Sequence, residues 1–329
     1  MIDIPERYNV DNIKRVARNP SLISNELSRL TIKGASFVYN PFFWREYEKD
    51  PVIIADEDWD NLLILDACRY DYFKEKNQIE GTLRSVISGG SESWGFMQHN
   101  FSEQQLHDTI YITANPHFER LSDDVFFTVE SLLDEWDEEV QTVHPRDIVD
   151  RAISVNKEYP NKRLIIHFMQ PHTPWLGATA NRIRSRLNMR GFNKDPWWKE
   201  NSDERAIVSG IGWFQAVREG NISQEEMERA YGETLEIALN SAETLVQQLD
   251  GKSVITSDHG EMLGERIIPR TRPLYGHYYH ELCTPQLRIV PWFEIDCNQR
   301  RKIIEQSPIG FEGNKDRVVN SQLEALGYK

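Results

Sequence analysis

The chain contains no window of about twenty apolar residues, so no helix is expected to span a bilayer. Its first residues, "MIDIPERYNVDNIKR", lack an apolar signal core. Cysteine is scarce: Cys68, Cys283 and Cys297 are widely spaced and odd in number. That pattern excludes a disulfide framework and zinc-ribbon spacing, and it predicts a reducing, cytoplasmic compartment. Basic residues are outnumbered, 38 against 52 acids, for a net charge of -14. Such a surface repels polyanions, so nucleic acid is not expected as a partner. Internal repeats and low-complexity tracts are absent as well.

What remains reads as an α/β chain, and 329 residues are enough to bury a sizeable core. "NLLILDA" (61–67) is a continuous apolar run ended by Asp66, the mark of a strand buried on both faces. "YITAN" (111–115), "RLIIHFM" (163–169) and "SVITS" (253–257) predict three more strands. "PQLRIVPWF" (285–293) predicts a fifth, placed at an edge by Pro285 and Pro291. A long helix is expected after the capping box of Ser223 and Glu226, with its apolar stripe ending before Gly251. Strands alternating with helices imply a doubly wound, mostly parallel sheet sandwiched by helices.

The expected organisation is an N-terminal helical extension over 1–50, a catalytic domain over 51–300 and a C-terminal tail over 301–329. The aromatic run "GASFVYNPFFW" (34–44) is too short to span a membrane; it packs onto the domain or makes peripheral membrane contact. Residues 119–150 carry eleven acids against two bases, read as a solvated helical face. An insertion at about 176–222 follows the third strand and is rich in Trp and Arg, including "RIRSRLNMR" (182–190). It is either a lid or substrate wall for a glycan or lipid headgroup, or a solvated surface subdomain.

Three strand ends carry unusually dense polar chemistry. The first delivers Asp66, the third delivers His167 and His172 in "HFMQPHTPW", and the fourth delivers Asp258 and His259. Downstream, "YGHYYH" adds His277 and His280. Ligands of doubly wound sheets bind at the carboxyl ends of strands. Carboxylates and imidazoles gathered there suit a divalent ion that assists attack at phosphorus or sulfur.

"TSDHGE" after an apolar strand, with a preceding long helix and a separate "PHTPW", resembles the alkaline phosphatase/sulfatase superfamily, and most closely its sulfatase-like and phosphoglycerol-transferase-like branch. The order of motifs matches from about residue 60 to residue 293, beginning at "LDACR". The resemblance implies an alkaline-phosphatase-like fold with a metal site formed by Asp66, Asp258, His259 and a nucleophile. The hydroxyl-rich "SGGSESWGF" (88–96) holds the expected nucleophile: Ser91, after two glycines at a helix start, with Ser88 and Ser93 open. His172 and His277 match histidines that contact the substrate anion or a second metal. The formylglycine motif of sulfatases fails at Cys68, which argues for phosphoryl chemistry. The implied activity is a metal-dependent hydrolase or transferase acting on a phosphate ester. The alternatives are a sulfuric ester hydrolase and a catalytically silent relative that binds an anionic glycan. One ion per chain is expected, Mn or Zn ahead of Mg or Ca.

Bland readings stand beside these. Arg69 either anchors substrate or pairs with Asp71, and His280 serves the substrate site or the surface. His167 is expected as a hydrogen-bonded core histidine, Glu261 as a residue that orients a ligand, and Cys68 as a packing residue. Arg266, Arg270 and Arg272 read equally as anion recognition or surface charge.

Overall fold

Asn61–Leu65 (β1) lies fully buried at the centre of the sheet. It pairs in parallel with Arg163–Phe168 (β5) on one side and Ser253–Thr256 (β6) on the other. A strand with neighbours on both edges and helices on both faces has no polar side to offer, which is why its sequence does not alternate. The computed structural model describes residues 20–47, 50–187, 189, 210–267, 272–277 and 282–310.

Beyond β5 lie Leu106–Thr113 (β3) and Phe126–Ser131 (β4), both parallel to it. Beyond β6 lie Ile289–Ile295 (β9) and then Thr82–Ile87 (β2), giving the order β2-β9-β6-β1-β5-β3-β4. β9 alone runs against the direction of the other six strands. The carboxyl ends of β1, β2, β3, β5 and β6 therefore open on one edge of the sheet.

One face is covered by Pro145–Glu158 (α4) and Gln224–Gln248 (α7). Ile148, Ala152 and Val155 of α4, with Leu235, Ala238 and Leu245 of α7, pack on Leu63, Ile112, Leu164 and Ile166. Each such Val, Leu or Ile side chain contributes roughly 1.5–3 kcal/mol by burial. The capping box forms as expected: Ser223 Oγ accepts from Glu226 N–H, and Glu226 returns the bond to Ser223 N–H. The opposite face is covered by Ser93–Phe101 (α3), whose Phe96, Met97 and Phe101 pack on Leu62, Ile64, Tyr111, Val254 and Trp292.

Two expectations are corrected. The prolines of 285–293 do not mark an edge, because β9 is paired on both sides. Its ladder with β6 begins at Trp292, so Pro291 sits just past β6, where its carbonyl accepts from Thr256 Oγ1 at 2.7 Å. Residues 119–150 are not one helical face: β4 runs through them and buries Phe126 and Phe127, Glu130 lies in β4, Asp147 and Asp150 lie in α4, and the other acids lie in the turns and 3-10 segments between.

Pro20–Tyr47 (α1) carries the aromatic run. Phe43 packs on Ile87 and Cys283, whereas Phe37 (75 %) and Phe42 (64 %) are exposed. Within the insertion, Gly177–Leu187 (α5) and Gly210–Arg218 (α6) pack against α7 through Trp175, Ile183, Trp213, Phe214 and Tyr231. Its arginines brace this packing: Arg184 lies 5.5 Å over the Trp213 ring, and Arg186 pairs with Glu226 at 2.6 Å.

Candidate functional site

The turn after β1 is held in an unfavourable conformation. Ala67 has φ 60°, a left-handed geometry that costs a non-glycine residue roughly 1–2 kcal/mol. Three buried bonds enforce it. Ala67 N–H donates to Asp258 Oδ1 at 3.1 Å, its carbonyl accepts from the Tyr231 hydroxyl at 2.8 Å, and Cys68 N–H donates to Ser257 Oγ at 2.9 Å. The result fixes the Asp66 side chain at the sheet edge.

The turn after β6 meets it there. Gly260 is required, since a Cβ would lie 2.0 Å from the Gln286 carbonyl of the short helix Pro285–Arg288 (α8). Asp258 Oδ1 accepts from the N–H groups of Ala67 and His259, leaving Oδ2 facing inward. His259 Nδ1 lies 2.8 Å from the Gly260 carbonyl, which can only accept, so in the neutral ring the proton is on Nδ1. His259 Nε2 then presents a lone pair 3.6 Å from Asp66 Oδ1 and 3.5 Å from Asp258 Oδ2. Asp66 Oδ1 is buried without a hydrogen-bond partner. Three acceptors facing one point, one of them orphaned, fit a shared cation. Tetrahedral N/O ligands at about 2.1 Å from an ion would stand about 3.4 Å apart.

The hydroxyl arrives from β2. The chain leaves Ile87, turns through Ser88–Ser91, and starts α3 at Ser93, with the Glu92 carboxylate capping the N–H groups of Trp94 (2.8 Å) and Gly95 (2.6 Å). Ser93 Oγ lies 2.7 Å from Asp258 Oδ2, 3.4 Å from Asp66 Oδ2 and 3.5 Å from His259 Nε2. Ser93 is thus the serine set against the acid–imidazole group. Ser91 sits two residues upstream in the turn, and the Ser88 hydroxyl donates to the Asp258 carbonyl.

A second group forms alongside. The two-stranded ribbon of Met262–Glu265 (β7) and Leu274–Gly276 (β8) pairs Met262 with Gly276. Glu261 and His277, which flank that pair, therefore meet, with His277 Nδ1 3.0 Å from Glu261 Oε1. His172 N–H bonds the Asp66 carbonyl at 3.1 Å, which brings its ring to 5.0 Å from that of His277. His172, Glu261 and His277 offer ligand atoms within 4.8 Å of one another, as do Asp66, Asp258 and His259. Two groups fit to hold a divalent ion are therefore present where the sequence pointed to one, and Glu261 belongs to the second.

Burial, with the charges of Asp258 and Glu261, pushes the Asp66 carboxyl well above its usual range. Burial opposes ionisation of Asp258 too, yet His259, His167 and the Ser93 hydroxyl hold it below the ordinary value. Burial pushes Glu261 up to about 7. Burial and the neighbouring His277 push His172 down to about 4, so its ring is neutral at pH 7.

Other expected residues fall as follows. His167 is fully buried, its Nδ1 2.7 Å from the Tyr111 hydroxyl and its Nε2 3.6 Å from Asp258 Oδ2. The Arg69 guanidinium pairs with Asp71 (2.6 Å) and with Glu265. Cys68 is buried in the core. His280 and Arg270 lie outside the described residues. Sequence reasoning passed over Asn115 and His117, both buried after β3; Asn115 Nδ2 donates to Asp66 Oδ2 at 3.0 Å. The signal was available, because "YITANPH" ends a strand in polar residues as "NLLILD" does.

No family model and no curated protein matches the chain. Solved structures do resemble it. The integral membrane lipooligosaccharide phosphoethanolamine transferase A of Neisseria meningitidis has 11% identity and a TM-score of 0.43, covering 71% of this chain and 47% of that one. This chain thus spans about half that protein's length. The C-terminal periplasmic domain of phosphoethanolamine transferase EptC from Campylobacter jejuni has 11% identity and a TM-score of 0.44, covering 71% and 78%. A putative sulfatase from Bacteroides thetaiotaomicron has 12% identity and a TM-score of 0.41, covering 76% and 66%. These neighbours are phosphoethanolamine transferases and a putative sulfatase, and likeness at this identity concerns the path of the chain alone. They also correct the cytoplasmic expectation. Periplasmic domains are among them, and the cytoplasmic expectation is not carried further. No helix among the described residues is long and apolar enough to cross a membrane.

Proposed function

We propose that the chain is a metal-dependent hydrolase or transferase acting on a phosphate ester, with Ser93 as its nucleophile in place of Ser91. The observation that carries this reading is the position of Ser93 Oγ, 2.7 Å from Asp258 Oδ2 at the first residue of α3. There the helix dipole favours an anionic ester. Asp66, Asp258 and His259 would hold the ion, with Ser93 beside it; this N/O set suits Mn or Zn. A divalent ion so held lowers the pKa of an adjacent hydroxyl and neutralises charge on the ester.

The chain's own groups do the rest. Asp258 Oδ2 accepts the hydrogen bond of the Ser93 hydroxyl and aims the oxygen. The Ser93 Oγ–phosphorus bond forms as the bond from phosphorus to the leaving oxygen breaks, and the proton given up by Ser93 is the one the leaving oxygen carries away. His172, neutral at pH 7, and His277 donate imidazole N–H groups to the non-bridging oxygens. Water or an acceptor alcohol then takes the phosphoryl group from Ser93.

The test pairs metal content with turnover of 4-nitrophenyl phosphate, bis(4-nitrophenyl) phosphate and 4-nitrophenyl sulfate in Mn, Zn, Mg and Ca. Phosphate-ester cleavage should fall by on the order of 10³ or more in Ser93→Ala, with metal still bound, and by less than about tenfold in Ser91→Ala. Unchanged turnover in Ser93→Ala would remove it as nucleophile. Cleavage of the sulfate alone would identify a sulfuric ester hydrolase instead.

A further inference from the structure

We propose that Trp94, His117 and Arg120 form a subsite beside Ser93 that binds a second negatively charged group of the substrate, separate from the ester that is cleaved. The proposal rests on the reading of Ser93 as nucleophile at a phosphate ester.

A short chain of contacts leads from the metal-ligand group to this wall. Asn115 bonds Asp66 through Nδ2 and, through Oδ1, accepts from His117 N–H at 3.0 Å. Residues Pro116–Arg120 form a 3-10 turn that carries His117 and Arg120 together. Trp94, the residue after Ser93, is half-buried, and the His117 ring stacks on it at 6.3 Å with an interplanar angle of 29°. The Arg120 guanidinium lies over the other partner of that stack, 3.9 Å from the Trp94 ring centre, with Nη1 3.3 Å from His117 Nδ1. Burial and then Arg120 push His117 down to about 3, so its ring is neutral and accepts from the guanidinium.

Arg184, Arg218 and Arg288 also lie over aromatic rings without a carboxylate partner among the described residues; what sets Arg120 apart is that its ring is Trp94, the residue after Ser93. The chain holds 52 acids, and Arg69, Arg84, Arg151, Arg163, Arg186 and Arg300 each pair with one within 4.0 Å. Arg120 makes no such pair among the described residues, although it is exposed to solvent. The Glu92 carboxylate attracts it but is engaged by the N–H groups of α3. Of five guanidinium donors, one meets an imidazole and the plane is fixed on an indole. A guanidinium held by stacking loses little freedom on binding, and its fork matches a carboxylate or phosphate in two parallel bonds. In a chain of net charge -14, a fixed and unpaired cation beside the nucleophile selects for a doubly anionic substrate.

The experiment titrates the metal-loaded protein by calorimetry with propylphosphonate and with 3-phosphonopropionate, which adds a carboxylate at similar length. The native protein should bind 3-phosphonopropionate about tenfold more tightly, as one charge-assisted bidentate contact allows. That ratio should fall close to one in Arg120→Gln and in Trp94→Ala, and take an intermediate value in Arg120→Lys, which keeps charge without the fork. Equal binding of the two ligands by the native protein, or an unchanged ratio in Arg120→Gln, would overturn the subsite while leaving the nucleophile reading intact. Failure of both phosphonates to bind would overturn the phosphate-ester reading and the subsite with it.

Discussion

The two groups of ligand-type residues stand side by side, with the His259 and His277 rings 4.4 Å apart, yet they are built differently. Asp66, Asp258 and His259 end strands of the seven-stranded sheet, and backbone bonds from Ala67, Cys68 and Gly260 fix their turns. Glu261 and His277 flank a two-stranded ribbon, and His172 Nδ1 and Glu261 Oε2 are buried without hydrogen-bond partners. The first group is organised before any ion arrives. The second holds more unmet polarity, so it adapts to what binds. A small ribbon lacks the flanking ladders that make a parallel sheet rigid.

The largest break in this comparison should come from removing one charge in each group. Asp258→Asn should weaken binding of the first metal equivalent by more than about 100-fold, beyond the roughly 10–100-fold of an indirect change. Glu261→Gln should weaken the same equivalent by less than about tenfold. Chelator competition measures both. Equal losses would mean that the two groups act as a single centre.

A pH series sharpens the contrast. In metal-free protein Glu261 titrates at about 7 rather than near its usual 4.5, so between those values the folded state keeps a proton that the unfolded state has released. The stability this group contributes is therefore complete below about pH 4.5 and is lost as pH rises through 7. Its share is of order 3 kcal/mol. Native protein in chelator should lose stability relative to Glu261→Gln across that window, as read from thermal midpoints. A flat difference between the two would show that Glu261 is ionised in the empty site.

The same contrast explains what could be read from sequence. "NLLIL" and "RLIIHF" announce themselves because central strands are apolar throughout, and the rule that strand ends carry ligands then located Asp66, Asp258 and His172. The edge strand β2 went unread because Thr82, Arg84 and Ser85 face solvent and break the apolar run. The choice of Ser91 over Ser93 turned on where α3 begins, and Glu92, a poor cap by type, sets that point with its side chain. The sequence pointed to Glu261 as an orienting residue but not to its partner His277, because that contact depends on the Met262–Gly276 pairing between separate strands.

The smallest expected effects lie behind Asp258, where the first group borrows support from the strands. His167 Nε2 faces Asp258 Oδ2 at 3.6 Å, and Tyr111 holds the far side of the ring at 2.7 Å. Neither residue is in the ligand set, so their work is orientation. His167→Gln should weaken the first metal equivalent by about tenfold, the low end for a supporting residue. Tyr111→Phe should cost about 1–2 kcal/mol of stability by leaving a buried ring nitrogen unpaired, and change metal affinity by less than about threefold. A His167→Gln protein that binds metal as tightly as the native one would reduce His167 to a packed core residue. The rigidity of the first group would then come from its backbone bonds alone, and the distinction between sheet and ribbon would rest on Ala67, Ser257 and Gly260 rather than on the side chains beneath them.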